Sequence, residues 1–407
     1  MEAKRQDLLR LLAAAQATAS ELQEDLKADA NFRLQVTEGS KRLTRTLQTE
    51  VDRAWELFLR PAHSAALHVA LDGGWIGYIN SNHVQKHGSE TSGISAGQIA
   101  EHTSSDPELV SRLMRVLTAN ETIVERGADL YAPTPFSKLF DDLAWANGLR
   151  HAVRDYSITM AGMPGYFSKN GYRIDKHKEG AYQYVHGTTF FDRVHAGGEV
   201  GAEFHSFMRV VRAGKKPWFE VYPFADRLKG ASESDVLLVD VGGGYGHDLI
   251  VFSNVKEGRN VPGRLVLQDA PGVLEKVSQE QLSRIDIQAH DFFTPQKVLG
   301  ARAYFLKNVL HDWTNERCVD ILSQLRDAMH PGYSRLLINE IVVPDENCDP
   351  WTAAFGIAMM AVVDGQERTR TQWVELINAT GGLKIEMIWK LGTNNESIIE
   401  VSRIVDE

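Results

Sequence analysis

Residues 235–249 read DVLLVDVGGGYGHDL, and no other stretch restricts the fold as tightly. The apolar run Val236 to Val239 has the character of a strand buried on both faces, as in a parallel sheet covered by helices. It ends at Asp240 and breaks into Gly242-Gly243-Gly244-Tyr245-Gly246. Glycines there permit a sharp strand-to-helix turn and let a ligand approach the backbone with no Cβ in the way. A nucleotide-like ligand is expected over this turn.

The dinucleotide fingerprint G-x-G-x-x-G asks for a small third residue, and His247 stands at that position. A bulky side chain fits poorly where the helix must pack tightly on the strand, which disfavours NAD. Triple glycine after Val-Asp-Val suits S-adenosylmethionine, which has no pyrophosphate to cradle. A turn that merely needs glycine would look the same, so downstream residues must decide.

The 407 residues are enough for two or three domains and a large core. A net charge of −10 argues against a nucleic-acid surface as the main business. Two cysteines, Cys318 and Cys348, cannot build a disulfide framework, and no Cys/His cluster has zinc spacing. No metal is expected, and a reducing, cytoplasmic setting is. The chain shows no basic segment followed by an apolar run and no 18-residue apolar stretch, so no membrane partner is expected.

Residues 1–60 read as helical, with Leu8, Leu9, Leu11, Leu12, Leu22 and Leu26, then Val51, Trp55, Phe58 and Leu59, at helical spacing. They either pack on their own domain or form an arm exchanged with a second subunit, and a homodimer is expected. In residues 92–135, a short helix with Ile99 and Ala100 precedes an N-cap at Ser105-Asp106-Pro107. The next helix should place Leu109, Leu113, Val116 and Leu117 on one face, ahead of a hairpin flanking residues 126–129. This is a winged-helix pattern. DNA binding is disfavoured, because only Arg112 and Arg115 stand against Asp106 and Glu108.

Residues 136–230 are dense in aromatics, among them Tyr156, Tyr182, Phe190, Phe204, Phe207 and Trp218, joined by Met160, Met163 and Met208. Such residues are usually core, and here they also suit helices walling a pocket for a flat organic substrate. From 236 onward strand and helix alternate, the mark of a parallel sheet with helices on both faces. Strands are expected at 236–241, 264–268, 285–289, 302–306, 335–343, 383–389 and 398–404, and helices at 246–257, 271–279, 315–330, 351–363 and 370–380. The fold class is α/β, a seven-stranded Rossmann-like sheet behind an N-terminal helical and winged-helix domain. The expected division is 1–140 and 141–407, the latter split into a pocket segment 141–230 and a core 231–407.

Asp269 ends the second strand, 23 residues after Gly246, where a carboxylate can accept both ribose hydroxyls or cap the next helix. Asp291-Phe292 follows the third strand, offering an adenine a polar edge and an apolar face, and Lys307 follows the fourth. His311-Asp312-Trp313 lies beyond a strand that should run beside the glycine-rich one. Glu340, inside LLINEIVV, and Glu367, in GQERT, occupy similar strand-end positions. A glutamate in so apolar a strand is costly unless paired, and a histidine base held by carboxylates is a sensible partner.

The order VDVGGGYG, LVLQDAP, HDFFTP, FLKNVLHDW, LLINEIVVPD and GQERT resembles the plant and fungal S-adenosylmethionine-dependent O-methyltransferases, over most of the chain. WFEVYP at 218–223 is similar to the fungal branch. The resemblance implies cofactor residues Gly242, Gly243, Asp269, Asp291, Phe292 and Lys307 and a catalytic base at His311, flanked by Glu340 and Glu367 with Asp312 beside it. It implies methyl transfer to a hydroxyl of a small aromatic or polyketide-type metabolite. The fungal branch also includes methyltransferase-like pericyclases and dehydratases that use bound S-adenosylmethionine without transferring its methyl and carry out pericyclic or dehydration reactions on polyketide–pyridone alcohols. Residues 149–153 resemble a segment in which such a pericyclase carries an active-site histidine, here His151. In that relative the HDW histidine is arginine and the first carboxylate differs, whereas this chain keeps His311, Glu340 and Glu367.

Overall fold

The computed structural model describes residues 2–82, 93–174, 179–212, 215–255, 261–275, 277, 285–392 and 395–405. They fall into two compact units, residues 2–59 with residue 392, and residues 60–391 with 395–405. The first unit is a run of helices: α1 Glu2–Glu21, α2 Gln23–Ala28, α3 Ala30–Leu47 and α4 Glu50–Leu59. Local bonds start α4, where Thr49 and Asp52 cap each other's backbone N–H at 3.2 and 2.9 Å. Helices α1, α2 and α4 bury no residue, and Leu9, Trp55 and Phe58 are 60–67% exposed. Of the stripe residues read from the sequence, Leu12, Leu22 and Leu26 are half-buried, while Leu8, Leu9, Leu11, Val51, Trp55, Phe58 and Leu59 are exposed.

The second unit opens with α5 Pro61–Asp72, α6 Trp75–Asn82, β1 Ile94–Ser95, α7 Ala96–Thr103, α8 Pro107–Ala119 and the hairpin β2 Ile123–Gly127 and β3 Leu130–Pro133. Strands β1, β3 and β2 form a three-stranded sheet in that order. Asp106 caps α8 as expected, accepting from Glu108 and Leu109 N–H. The buried face of α8 is Val110, Met114 and Leu117, while Leu109 is 45% exposed. The stripe is therefore turned from the expected one, because positions 110, 114 and 117 share a face and pack against Trp75, Ile79 and Ile99.

A helical segment follows: α9 Leu143–His151, a π-helical stretch Ala152–Ser157, α10 Ile158–Lys169, α11 Ala181–His186, α12 Phe190–His195 and α13 Gly198–Arg212. The core sheet is built from β4 Val236–Val241, β5 Arg264–Asp269, β6 Ile285–Ala289, β7 Ala303–Lys307, β8 Arg335–Val343, β10 Leu383–Lys390 and β11 Glu396–Arg403. Between β8 and β10 lies a two-residue strand β9, Arg368–Thr369, which pairs with the end of β8. The order is β10-β11-β8-β7-β4-β5-β6, parallel except for β11, which runs antiparallel to β8 on one side and forms the expected antiparallel hairpin with β10 on the other. Strand β4 pairs with β5 on one side and β7 on the other, so chain direction across the sheet reverses at β4. Ligands in open α/β sheets bind in the crevice at such a point, at the carboxyl ends of the strands.

Both faces of this sheet are covered. Val239, Tyr304 and Leu306 pack against Ile321, Leu325, Trp373 and Ile377, from α15 Asn315–Ala328 and α17 Arg370–Thr380. Leu238, Phe305 and Leu337 pack on the other side against Trp218, Phe219 and Phe252. Alternate residues of β4 and β7 thus serve opposite cores, which is why these strands read as unbroken apolar runs. The helix after β4, α14 His247–Asn254, is shorter than expected, and after β5 the turn Pro271–Leu274 is the only helical part among the described residues. Much of the rest of those two expected helices lies outside the described residues. No helix among the described residues is long and apolar enough to cross a membrane.

Candidate active site

The glycine turn shows why it needs glycine. Gly242 has φ +73°, and a Cβ there would meet Val309 at 3.0 Å and Phe292 at 3.6 Å. At Gly243 a Cβ would come within 2.5 Å of the Asp240 carboxylate and 2.6 Å of Leu267. The Asp269 carboxylate ties the turn from β5, accepting from Gly244 N–H and Ala270 N–H, both at 2.7 Å. Burial pushes the pKa of Asp269 up, against the pull of those two N–H groups. One sequence argument needs correction: the His247 side chain is exposed, and the buried residue at the turn's end is Gly246 with φ +74°. Bulk at 247 therefore obstructs no packing.

The remaining expected cofactor residues line up along the same edge. Asp291 Oδ1 accepts from Phe293 N–H at 3.0 Å, and Phe292 lies edge-on to Trp313 with ring centres 6.0 Å apart. Lys307, at the end of β7, is ion-paired to Asp248 of α14 at 2.7 Å. The glycine cradle and the acid beneath it fit an adenosyl group: backbone without side chains on one side, carboxylates for hydroxyls and amines on the other.

Beyond β7 the chain turns through Asn308, at φ +52°, into a tight turn Leu310–Asp312. Glu340 of β8 is wholly buried beneath it. Its Oε1 accepts from Val309 and Leu310 N–H, each at 2.9 Å, and from His311 N–H at 3.4 Å. The expected imidazole contact is made by Glu367, whose Oε1 lies 2.8 Å from His311 Nδ1. Glu340 Oε2 is 3.6 Å from Nδ1 and has no hydrogen-bond partner among the described residues. The two acids therefore divide the work, one holding the backbone of the turn and the other the ring. Asp312 Oδ1 lies 3.5 Å from Nε2.

His311 is 7% exposed. Burial alone disfavours its imidazolium, but the charges of Glu340, Asp312 and Glu367 outweigh burial and raise its pKa to about 10. Burial raises Glu340 to about 7 despite the pull of His311. His311, Glu340 and Glu367 bring ligand atoms within 4.8 Å of one another. A cation there would have to displace the Nδ1 proton that Glu367 accepts.

His151 forms a second buried pair that its i, i+4 spacing to Asp155 could have revealed. Its Nδ1 lies 2.8 Å from Asp155 Oδ2, across the start of the π-helical stretch. Asp155 Oδ1 also accepts from the Tyr182 hydroxyl, with Arg193 at 3.5 Å. The rings of Tyr156, Phe190, Phe204 and Phe207 surround the imidazole at 4.9–5.9 Å, and its Nε2 has no hydrogen-bond partner among the described residues. Tyr156 links the two histidine environments. Burial, Asp312 and Asp155 all push its phenol pKa up. Helix α16, Pro350–Val363, packs against both the π-helical stretch and the turn at 310–312. Tyr182 and Arg193 were not singled out as site residues from sequence; neither lies in a recognisable motif.

Comparisons with known proteins bear on the family and the fold. The O-methyltransferase domain family matches residues 171–382. The methyltransferase cfoC of Aspergillus candidus is 36% identical over 317 residues, covering 76% of this chain and 78% of its own. The O-methyltransferase mfmE of Annulohypoxylon moriforme is 32% identical over 364 residues, covering 87% of each. Among solved structures, the complex of LepI with S-adenosylmethionine superposes with a TM-score of 0.85 at 24% identity, covering 99% of this chain and all of that one. That similarity establishes the fold.

The Asp269 carboxylate ties the glycine turn from the carboxyl end of β5, and the family resemblance gives it the ribose as a further partner. Asp269→Ala should weaken S-adenosylmethionine binding by about 10- to 100-fold in calorimetry, the scale of a hydrogen bond to a charged group. Unchanged affinity would contradict this role.

Proposed function

We propose that this chain, which belongs to the S-adenosylmethionine-dependent O-methyltransferase family, methylates a hydroxyl of a small aromatic or polyketide-type metabolite with His311 as general base. The observation that carries this is the Glu367–His311 bond at Nδ1, which leaves Nε2 as the nitrogen for a substrate proton. S-adenosylmethionine, when bound, supplies a methyl group activated by its sulfonium. Gly242, Gly243, Asp269, Asp291 and Phe292 would hold it, with Lys307 at the same edge. His311, kept cationic by three carboxylates, becomes a neutral base when a further positive charge enters its surroundings, because a like charge lowers its pKa. Tyr156, Phe190, Phe204 and Phe207, with Met160 and Met163 nearby, supply apolar walls suited to a flat substrate.

A second reading has its own observation. The buried Nε2 of His151, braced by Asp155 and without a hydrogen-bond partner among the described residues, could donate to or accept from a substrate oxygen in a pericyclic or dehydration reaction without methyl transfer. The two readings separate in one experiment, using deuterated-methyl cofactor and a panel of phenols and polyketide-type alcohols. Methyl transfer predicts a product that gains the labelled methyl, with stoichiometric S-adenosylhomocysteine, and a loss of about 10²- to 10⁴-fold in His311→Ala. Substrate conversion without S-adenosylhomocysteine, abolished in His151→Ala, would overturn it.

The N-terminal helices and the winged-helix segment, α7 to β3, serve as a dimerisation region. Apolar side chains such as Leu9, Trp55 and Phe58 need a partner surface, and a second copy of the chain supplies it. Light scattering at micromolar concentration should give a dimer that loses solubility on deletion of residues 1–60. A monodisperse full-length monomer would contradict it.

A further inference from the structure

Glu367 and Thr369 of the GQERT segment have evident tasks: Glu367 bonds the imidazole, and Thr369 caps α17 in a capping box with Gln372. Arg368 between them is wholly buried and pairs with no carboxylate among the described residues. A buried guanidinium is costly unless its donors are satisfied. Here they are. Nη1 donates to Leu310 C=O and Nη2 to Trp313 C=O, both at 2.8 Å, and Nε donates to Asn315 Oδ1 at 3.0 Å. Cys318 Sγ lies 3.3 Å from Nη2, and the Trp373 ring lies alongside with its centre 5.3 Å from the guanidinium carbon. The two carbonyls bracket His311.

We infer that Arg368 is the positioning residue that fixes the His311 turn in register with Glu367. Three more contacts point the same way. Gln366 N–H donates to His311 C=O at 2.8 Å. A Cβ at Gly365 would fall 2.4 Å from that same carbonyl oxygen, so the two segments touch backbone to backbone. Arg368 itself stands opposite Val342 in the β8–β9 pairing, which ties the segment to the strand bearing Glu340. Residues 365–368 thus hold His311 by its ring and its carbonyl, and the carbonyls at 310 and 313 by one planar fork. Lysine cannot reproduce this, because an ammonium has no fixed fork to span three separated acceptors.

The inference rests on His311 acting as base, and the test separates the two. Arg368→Lys, Asn315→Ala and His311→Ala would be compared by calorimetry with S-adenosylmethionine, by thermal unfolding and by the downfield imidazole N–H proton resonance of the His311–Glu367 bond. Where the panel above yields an accepting alcohol, kcat and KM are added. Arg368→Lys should bind the cofactor as the parent does, with the downfield resonance lost and kcat down by about 100-fold at unchanged KM, the scale of an ångström-level misplacement. Asn315→Ala, which removes one acceptor and no charge, should weaken the resonance partially and serves if Arg368→Lys does not fold. A parent-like resonance and kcat in whichever of the two folds, with only thermal stability lowered, would overturn the positioning role. Full turnover in His311→Ala would instead overturn the base assignment and the inference with it.

Discussion

The site depends on one buried carboxylate. Glu340 sits on a central strand, wholly out of solvent, and spends one oxygen on the three consecutive N–H groups of residues 309–311. A carboxylate so placed tolerates burial only if donors surround it. The turn between β7 and α15 supplies them by wrapping over it. His311 arrives above the sheet edge as a consequence, within reach of Glu367. The strand order places this turn next to the glycine turn after β4, so the glycine turn and His311 lie at the carboxyl ends of neighbouring strands.

The electrostatics follow from that placement. Three carboxylates crowd one imidazole, and their field exceeds the cost of burying its charge. The free site therefore prefers a cation. On the proposed reading a cofactor sulfonium would use this balance in both directions: the carboxylates favour a positive charge nearby, and that charge lowers the pKa of the histidine. The His151–Asp155 pair is different in kind. Its carboxylate is shared with Tyr182 and Arg193, and its Nε2, without a partner among the described residues, is enclosed by aromatic rings.

Much of this was legible in the chain. The apolar run at 236–241 forms β4, Asp269 ends β5, and β7 runs beside β4 as the HDW reading requires, whereas Glu340 lies within β8 and Glu367 just ahead of β9. The boundaries of α14 and the buried face of α8 were not, because capping by Gly246 and the positions of Trp75 and Ile99 decide them. The bulk argument at His247 failed because Gly246 is the buried residue there. The division of labour between Glu340 and Glu367 was hidden too, since a side chain's choice between backbone N–H and imidazole leaves no trace in spacing. Arg368 was hidden because a buried arginine in a polar motif looks like a surface residue until its uncharged acceptors, two main-chain carbonyls, the Asn315 amide oxygen and the Cys318 sulfur, are seen.

The most direct measurement is an NMR titration of the His311 imidazole in the free protein, with S-adenosylmethionine, and with S-adenosylhomocysteine, whose sulfur is uncharged. In the free protein the carboxylates should keep His311 protonated through neutral pH, with a pKa well above the ordinary value of about 6.5. S-adenosylmethionine should lower that pKa, and S-adenosylhomocysteine should lower it less. Titration near or below the ordinary value in the free protein, or equal shifts with the two ligands, would contradict the account.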